Sequence, residues 1–226
     1  SGYTSNSLSE ERRNIKSLEK QFIATYDKTF SKVHNFNAMV GYEDYSYTYE
    51  TMSGSTNDMS LSSFPYLDLA NKNALAVAGN SYQNAYRSFF GRVMYNYDSR
   101  YYLQLNARED GSSRFHKDHR WGFFPSFSAG YDIARTPYFQ QLALPVSQLK
   151  VRVSYGRLGN QNGAGLYDYI AQMPLDAQGT NAWLLPGISS STASKGTIAK
   201  TPKMISPYIT WEKVDNANLG FDLMLL

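Results

Sequence analysis

Hydrophobic and polar side chains alternate with a period of two through residues 88–110, in two adjacent runs. This period places the apolar residues on one face of a β-strand and the polar residues on the other. A three-residue loop centred on Ser99 sets Tyr97 opposite Tyr101, Tyr95 opposite Leu103 and Val93 opposite Leu105, so both apolar sets face the same side. The segment therefore predicts a β-hairpin with one apolar face and one polar, charged face.

The same alternation recurs in five other segments, which brings the prediction to about seven strands. Their apolar sets are Phe22, Ala24, Tyr26 and Phe30; Phe36, Ala38, Val40 and Tyr42; Phe123, Phe127, Ala129, Tyr131 and Ile133; Leu149, Val151, Val153 and Tyr155; and Leu219, Phe221, Leu223 and Leu225. Residues 1–17 are polar and predict a loop. After Glu43 the pattern shifts phase to Tyr45, Tyr47 and Tyr49, which predicts either a β-bulge or the level where the strand leaves its apolar surroundings.

The connections between these strands differ in length in a regular way. Residues 31–34 and 98–100 are short connections, 135–148 is intermediate with room for one helical turn, and 51–80, 111–121 and 159–207 are longer. Up-and-down outer-membrane barrels have short periplasmic turns, long external loops, an aromatic-rich apolar exterior and a polar lumen. The sequence therefore predicts an all-β, antiparallel, up-and-down segment of a transmembrane β-barrel.

Composition and charge narrow the class further. The chain has 19 tyrosines and 12 phenylalanines, while only 18% of its residues are charged. No run reaches the ~20 apolar residues of a transmembrane helix, so a helical membrane protein is excluded. Cysteine is absent, which excludes disulfides and cysteine-bound metals, and no cofactor is expected. The net charge of +3 is spread among acidic residues, so nucleic acid is not an expected partner.

Several short segments carry a family resemblance. They are Phe90-Gly91-Arg92-Val93 with Tyr95-Asn96-Tyr97, Arg108, Asp110-Gly111-Ser112-Ser113-Arg114-Phe115, Trp121-Gly122-Phe123-Phe124-Pro125-Ser126, Leu149-Lys150-Val151-Arg152, Ser154-Tyr155-Gly156, Gly159-Asn160-Gln161, Thr210-Trp211-Glu212-Lys213 and Asn218-Leu219-Gly220-Phe221-Asp222. In this order and at this spacing they resemble the SusC/RagA-like TonB-dependent outer-membrane transporters of Bacteroidota.

The resemblance implies a 22-stranded barrel closed by an N-terminal plug. It also implies a SusD-like surface lipoprotein as a lid, and TonB-driven uptake of oligosaccharides or peptides at the outer membrane. Transport makes and breaks no covalent bond in the substrate, so an enzyme is not expected. Residues 1–226 contain no plug, TonB box or signal peptide, and the last strand continues to the end of the chain. We therefore expect this chain to be an internal part of the barrel wall.

Six residues are candidates for contact with a transported substrate. Trp121 and Trp183 lie in or beside predicted external loops, where a flat ring stacks on a sugar. The competing interpretations are an interfacial anchor for Trp121 and packing inside a loop for Trp183. Arg92, Arg108 and Arg152 lie on the polar sides of their strands, and Asp110 precedes a turn.

The competing interpretation of the three arginines is structural. Pairing with Asp110, Asp132 or plug carboxylates is expected to outweigh direct substrate contact. Asp110 and Gly111 are expected to begin a turn, and Arg108, Asp110 and Arg114 are expected to pair at the rim of the lumen.

Other functions stay open from the residues alone. A soluble β-sandwich carbohydrate-binding module or lectin would place the same apolar face against a second sheet. An outer-membrane hydrolase would need a serine within hydrogen-bond reach of His34, His116 or His119. His116, Asp118 and His119 also form a candidate metal site, but zinc requires three or four converging ligands, so we expect a solvated loop there.

Overall fold

The computed structural model describes residues 6–57, 59, 63–69, 71–142, 144–171, 175–176, 198–199 and 205–225. Nine strands are present there: β1 (Leu8–Phe30), β2 (His34–Thr56), β3 (Ala76–Tyr97), β4 (Tyr101–Ser112), β5 (Trp121–Asp132), β6 (Val146–Asn160), β7 (Leu175–Asp176), β8 (Ile198–Ala199) and β9 (Glu212–Leu225). Seven of them form one antiparallel sheet in the order β1-β2-β3-β4-β5-β6-β9, and β7 pairs with β8 separately. The predicted up-and-down topology is confirmed.

The predicted hairpin forms with the predicted register. Tyr97 lies opposite Tyr101, Tyr95 opposite Leu103 and Val93 opposite Leu105. In the turn, Asp98 and Ser99 both have φ of 51°, and the Arg100 N–H donates to the Tyr97 carbonyl at 2.9 Å. Short polar residues tolerate this left-handed conformation better than branched ones. The turn therefore fixes the register that aligns the two apolar sets.

Connections of different length lie at opposite ends of the sheet. The end with short turns has residues 31–33, 98–100 and 133–145, and the last of these contains helix α1 (Pro137–Gln141), which confirms the predicted helical turn. The other end has residues 57–75, 113–120 and 161–211. The predicted asymmetry of the loops is confirmed in part, because residues 133–145 at the short-turn end are more numerous than residues 113–120 at the other end.

The first strands are longer than the alternation predicted. The prediction of a loop over residues 1–17 is wrong from Leu8 onward, because β1 pairs with β2 without interruption from Leu8–Thr56 to Phe30–His34. The β-bulge after Glu43 is also absent, since the register of β2 with both neighbours is continuous. Tyr45, Tyr47 and Tyr49 therefore share the face of Glu43. Strand pairing between main chains does not require an apolar side-chain pattern, so β1–β3 continue beyond the apolar zone.

The two faces of the sheet differ in polarity. The outer belt is the set of apolar side chains on one face: Phe22, Ala24, Tyr26, Phe30, Phe36, Ala38, Val40, Tyr42, Phe89, Val93, Tyr95, Tyr97, Tyr101, Leu103, Leu105, Phe123, Phe127, Val151, Val153, Leu219, Phe221 and Leu223. Many of them are exposed, including Phe22 at 69%, Val40 at 64% and Phe221 at 67%. Lys28, Glu109 and the ion pair of Arg157 with Asp215 interrupt this face with charge. The inner face carries the polar set.

Aromatic rings border the outer belt at both of its ends, near the short turns and near the long loops. Near the short turns, Tyr101 stacks on Tyr131 at 4.8 Å and lies 6.0 Å from Tyr97. Toward the long loops, Tyr42 lies 5.3 Å from Phe89, and Phe89 stacks on Trp121 at 6.2 Å. The nine residues from Phe89 to Tyr97 span about 26 Å of strand, or about 20 Å along the barrel axis at a tilt of ~40°. The aromatic rings at both ends extend this height toward the apolar band of about 25 Å that outer-membrane barrels show.

The alternative β-sandwich fold predicted a second sheet against the apolar face. In the described part of the chain the second sheet is the two-residue pair β7–β8, and the outer belt stays exposed. The arrangement is that of a barrel wall and not of a sandwich. No helix in the described residues is long and apolar enough to span a membrane.

Candidate functional site

The polar inner face forms a groove of about 930 Å³ in the half of the sheet near the short turns. The groove touches β1 at Asp27 and β9 at Asn218, so the sheet is concave on this side. Its lining includes amides, hydroxyls and charges beside apolar residues; the polar ones include Asn35, Asn37, Asn96, Gln104, Ser128, Lys150, Arg152 and Ser154. Such side chains can hydrogen-bond water, polar ligands or another polar protein surface.

Arg108 is at the centre of a charged network on the inner face. Its Nε donates to Asp110 at 2.6 Å, and one terminal nitrogen donates to Glu43 at 3.2 Å and to Ser88 at 2.9 Å. The Tyr86 hydroxyl donates to the other Glu43 oxygen at 2.8 Å. Glu43 is 9% exposed and Ser88 is fully buried. Burial of a carboxylate requires such partners, so this network fixes the position of the guanidinium.

The expected rim cluster of three residues is therefore partly confirmed. Arg108 pairs with Asp110, but β4 continues through both of them to Ser112, so the turn predicted at Asp110 begins later. Arg114 does not join the pair and instead donates to the Ala164 carbonyl at 2.8 Å. The chain turns after Ser112, which directs Arg114 toward the loop that follows β6.

Arg92 and Arg152 also lie on the inner face. Arg152 pairs with Asp222 on β9 at 3.1 Å, which is a different carboxylate from the expected Asp110 or Asp132. Arg92 lies beside Met39 and Asn106 in the register, and its Nε is buried without a hydrogen-bond partner in the described part of the chain. Arg92 is thus the inner-face arginine with unused donor capacity.

Trp121 lies on the outer face, where its ring stacks on Phe89 in the upper aromatic girdle. It is 44% exposed there, a position typical of an interfacial anchor. Its contact with a substrate stays a prediction. Trp183 lies outside the described residues.

A row of tyrosines on the inner face was not selected from the sequence. Beyond the level of Glu43, Tyr45 stacks on Tyr86 at 4.8 Å and Tyr49 stacks on Tyr82 at 4.9 Å. Tyr47 lies 6.0 Å from Tyr82 and stands between the two pairs along β2. The sequence did contain a signal for this row, namely the change of phase in the alternation after Glu43. Because β2 has no bulge there, the change of phase places the tyrosines on the polar face. We call these five residues the tyrosine row.

A buried apolar cluster at the roots of the long loops was also missed. We call it the loop-root cluster; it consists of Phe115, Phe124, Ala164 and Trp211, with Ile209 against it. The Trp211 ring lies 5.4 Å from Phe115 and 5.3 Å from Phe124, and its indole N–H donates to the Arg120 carbonyl at 2.8 Å. Four of the segments that carry the family resemblance converge here.

Two glycines make room for Phe124 in that cluster. A Cβ on Gly159 would lie 2.1 Å from the Phe124 ring, and a Cβ on Gly122 would lie 2.5 Å from it. Both distances are far inside van der Waals contact, so only a residue without a side chain allows the ring to lie flat on the backbone. The motifs that contain these glycines thus have a packing role.

The histidine loop does not gather ligands. His116 Nδ1 lies 3.2 Å from Asp118, and the His119 ring lies 5.5 Å from Tyr208. Within the described residues no three His, Asp or Glu side chains converge as a metal site requires. His34 lies far from this loop at the short turn, where its Nδ1 is 2.7 Å from the Tyr95 hydroxyl.

One exposed ion pair lies near the start of β1, in the part of the strand that extends beyond the outer belt. Arg13 binds both carboxylate oxygens of Glu11 at 2.7 and 2.9 Å, and Thr51 donates to Glu11 at 3.0 Å. The hydrogen bonds from Arg13, and then from Thr51, hold the pKa of the Glu11 carboxyl below its ordinary value.

A curved antiparallel sheet with an apolar outer belt, two aromatic girdles and a polar inner face defines a wall segment of a transmembrane β-barrel. Comparison with known proteins agrees with this class. Residues 1–225 match the family described as "TonB dependent receptor-like, beta-barrel", and the chain belongs to this family.

Individual relatives give the same result. The chain is 34% identical over 145 residues to the TonB-dependent receptor SusC of Bacteroides thetaiotaomicron, an alignment that covers 64% of this chain and 14% of SusC. It is 27% identical over 203 residues to the TonB-dependent receptor P39 of Formosa agariphila, covering 88% of this chain and 18% of that receptor. The chain thus spans only a small part of the length of these relatives.

A solved structure shares the fold. The RagAB peptide importer in its closed-closed state superimposes with a TM-score of 0.74 at 24% identity, covering 96% of this chain and 23% of the matched chain. The open-open state gives a TM-score of 0.72 at 25% identity, covering 94% of this chain and 22% of the matched chain.

Proposed function

We propose that the full-length protein is a TonB-dependent importer of the bacterial outer membrane. In this proposal it takes up an oligosaccharide or a peptide together with a SusD-like lipoprotein, and residues 1–226 form part of the barrel wall. The function is passage and selection, without bond chemistry.

The segregation of the two faces of the sheet is the observation that carries this proposal. On the outer face, Phe22, Val40 and Phe221 are each more than 60% exposed, which costs free energy in water but not in lipid. On the inner face, the groove collects amides, hydroxyls and charges. An apolar exterior with a polar interior is the arrangement that a membrane channel requires.

The loops supply the entrance in this proposal. The loop-root cluster holds residues 113–120 and the beginning of residues 161–211 against the wall through Phe115 and Ala164. The hydrogen bond from Arg114 to the Ala164 carbonyl at 2.8 Å joins the same two loops. Loops held at their roots by a protein core can form a defined entrance while their tips remain free to contact a ligand.

The candidate substrate contacts are proposed to differ in role. Arg108 pairs with both Asp110 and Glu43, so the three side chains form a fixed polar surface. Arg92 is half-buried on the inner face and its unpaired Nε is buried, so contact with passing polar groups would fall to its terminal nitrogens. Arg152 keeps 61% of its side chain exposed despite its pairing with Asp222. For Trp121, the role of a membrane anchor is proposed in preference to that of a substrate contact.

Uptake by whole cells tests this proposal. The gene for the full-length protein is deleted in a Bacteroidota host and restored on the chromosome, and import of labelled oligosaccharides and labelled peptides is measured in both strains. We expect one of the two substrate classes to lose uptake on deletion and to regain it on restoration. Dissipating the proton gradient in the restored strain should abolish the same uptake.

The location of the protein is a separate readout. Membranes separated by density should contain the full-length protein in the outer-membrane fraction, and purification in detergent should retain the lipoprotein partner. Uptake of both substrate classes at the wild-type rate in the deletion strain would contradict the proposal, as would recovery of the protein in the soluble fraction.

A further inference from the structure

The upper part of β3 is a strand with one unpaired edge. β4 ends at Ser112, which lies opposite Tyr86, so residues 76–85 of β3 pair only with β2. Residues 76–81 are all exposed. An edge of this kind presents a row of main-chain donors and acceptors that can pair with another chain.

The lower end of this edge is already filled by groups that imitate a strand. Ser113 donates its N–H to the Ala85 carbonyl and accepts the Ala85 N–H on its hydroxyl, both at 2.9 Å. Tyr167 does the same for Gln83 with one hydroxyl, which accepts the N–H at 2.9 Å and lies 3.4 Å from the carbonyl. Side chains thus take the place of the peptide groups that β4 would supply if it continued.

The next groups on the same edge have no such substitute. Neighbouring residues of a strand point their main-chain groups to opposite edges, so those of Ser81, Gly79 and Val77 point the same way as those of Gln83 and Ala85. In the described part of the chain no group pairs with these three on that side. Three residues offer up to three N–H donors and three carbonyl acceptors.

The side chains leave this edge accessible. Natural proteins protect exposed edges with charged residues, especially lysine, or with proline. Residues 76–83 read Ala-Val-Ala-Gly-Asn-Ser-Tyr-Gln and contain neither. The small residues Ala78, Gly79 and Ser81 allow another backbone to approach closely.

We propose that the edge from Val77 to Ser81 binds the main chain of a transported peptide by β-strand addition. This inference rests on the importer function proposed above and assigns peptides as its substrate class. An extended polypeptide repeats its donors and acceptors on one edge every two residues, about 6.8 Å, and so matches this edge, whereas sugar hydroxyls have no such repeat.

Two properties of binding follow from this geometry. Main-chain pairing does not depend on side-chain identity, so the edge can accept peptides of many sequences. Alternate side chains of the bound peptide would lie on the inner face beside Tyr82, whose ring is stacked on Tyr49 at 4.9 Å. Aromatic side chains at those positions therefore bind more tightly than small ones.

The test uses the full-length transporter in detergent and three probes: an uncharged octapeptide of Ser, Thr and Tyr, the same peptide with every amide nitrogen methylated, and maltoheptaose. We expect the unmodified peptide to bind at least tenfold more tightly than the methylated peptide, and maltoheptaose not to compete with it. Equal binding of the two peptides would overturn the proposal.

Substitutions at Ser81 test the edge directly. Ser81→Pro removes the N–H that points to the free edge and leaves the pairing with β2, whereas Ser81→Ala keeps the N–H and removes only the hydroxyl. We expect Ser81→Pro to weaken binding of the octapeptide about 3- to 12-fold, the effect of one hydrogen bond, and Ser81→Ala to leave it unchanged. Equal affinity of the two variants would contradict the proposal.

Hydrogen exchange on the unmodified transporter covers the case in which Ser81→Pro fails to assemble. The amides of Gly79 and Ser81 should exchange rapidly without peptide and become protected when it is added. Protection without peptide that rises with protein concentration would assign the edge to a second copy of the chain and overturn the proposal. Unchanged exchange in a transporter that still imports substrate would overturn this inference while the importer function stands.

Discussion

The outer belt and the loop-root cluster use the same kinds of side chain in opposite environments. Phe221 in the outer belt is 67% exposed, whereas Phe115 in the loop-root cluster is fully buried. In the belt each aromatic ring contacts only its neighbours along the sheet, as Tyr101 and Tyr131 do. In the cluster, Phe115 and Phe124 both pack against Trp211, which lies just before β9 and is distant from them in sequence.

This difference shows where each region obtains its stability. The belt gains its apolar free energy only when lipid covers it, because no protein layer covers it in the described residues. The cluster gains its free energy from protein packing and does not need lipid. Substitutions in the two regions should therefore respond differently to the surrounding medium.

Trp211→Ala is expected to have the largest effect on stability. It removes the ring that joins Phe115 to Phe124 and the hydrogen bond to the Arg120 carbonyl. Large-to-small substitutions of this kind cost about 3–5 kcal/mol. Unfolding of the full-length barrel by guanidinium, followed by tryptophan fluorescence in detergent and in lipid vesicles, should show the same loss in both media.

Trp121→Ala is the matched control, since Trp121 is 44% exposed in the upper girdle. Its cost should be smaller than that of Trp211→Ala and should depend on the medium. An equal cost for the two tryptophans would mean that the loop-root cluster does not act as a core.

Val93→Arg is expected to have the second largest effect. Val93 lies in the middle of the outer belt opposite Leu105, and an arginine on the lipid face costs roughly 2–4 kcal/mol near the midplane. The measurement is the yield of assembled barrel, read from heat-modifiable migration in gels. Met94→Arg, one residue along on the inner face, should assemble almost normally. Equal yields for the two variants would show that the faces are assigned wrongly.

Gly159→Ala should cost less, about 1–3 kcal/mol, because the new methyl group overpacks the loop-root cluster. The added Cβ would lie 2.1 Å from the Phe124 ring, which must therefore move. Gly163→Ala is the control, since a Cβ there meets nothing within 4 Å. Guanidinium midpoints that are equal for the two variants would argue against close packing of Phe124 on the backbone.

The sequence was sufficient for the outer belt but not for the loop-root cluster. Alternation with a period of two is a local signal, so the hairpin, its register and the polar faces of Arg92, Arg108 and Arg152 were predictable. The cluster joins Phe115, Phe124 and Trp211 across long stretches of sequence in irregular segments. No periodic pattern marks such contacts, and the motifs indicated a family without indicating a packing role.

The prediction of β1–β3 failed at their ends near the long loops, for a related reason. Alternation of polarity detects a strand only where its two faces meet different environments. Residues 9–17 of β1 are exposed on both faces and so resemble a loop, although their main chain is paired with β2 throughout. The partner of Arg152 was equally hidden, because Asp222 approaches Arg152 only once β9 lies beside β6.

Glu11→Gln is expected to have the smallest effect and serves as the baseline for both regions. Glu11 lies on exposed β1, beyond lipid and beyond any core, and its pair with Arg13 is open to water. Because hydrogen bonds hold its pKa below 4.5, any contribution of the pair is present above that pH and is lost as the pH falls through the lowered pKa. Guanidinium midpoints of wild type and Glu11→Gln should therefore be nearly equal at about pH 7 and converge fully once the pH is below the lowered pKa of Glu11. A loss at neutral pH as large as that of Gly159→Ala would mean that charge pairing, rather than main-chain pairing, holds the outer part of β1.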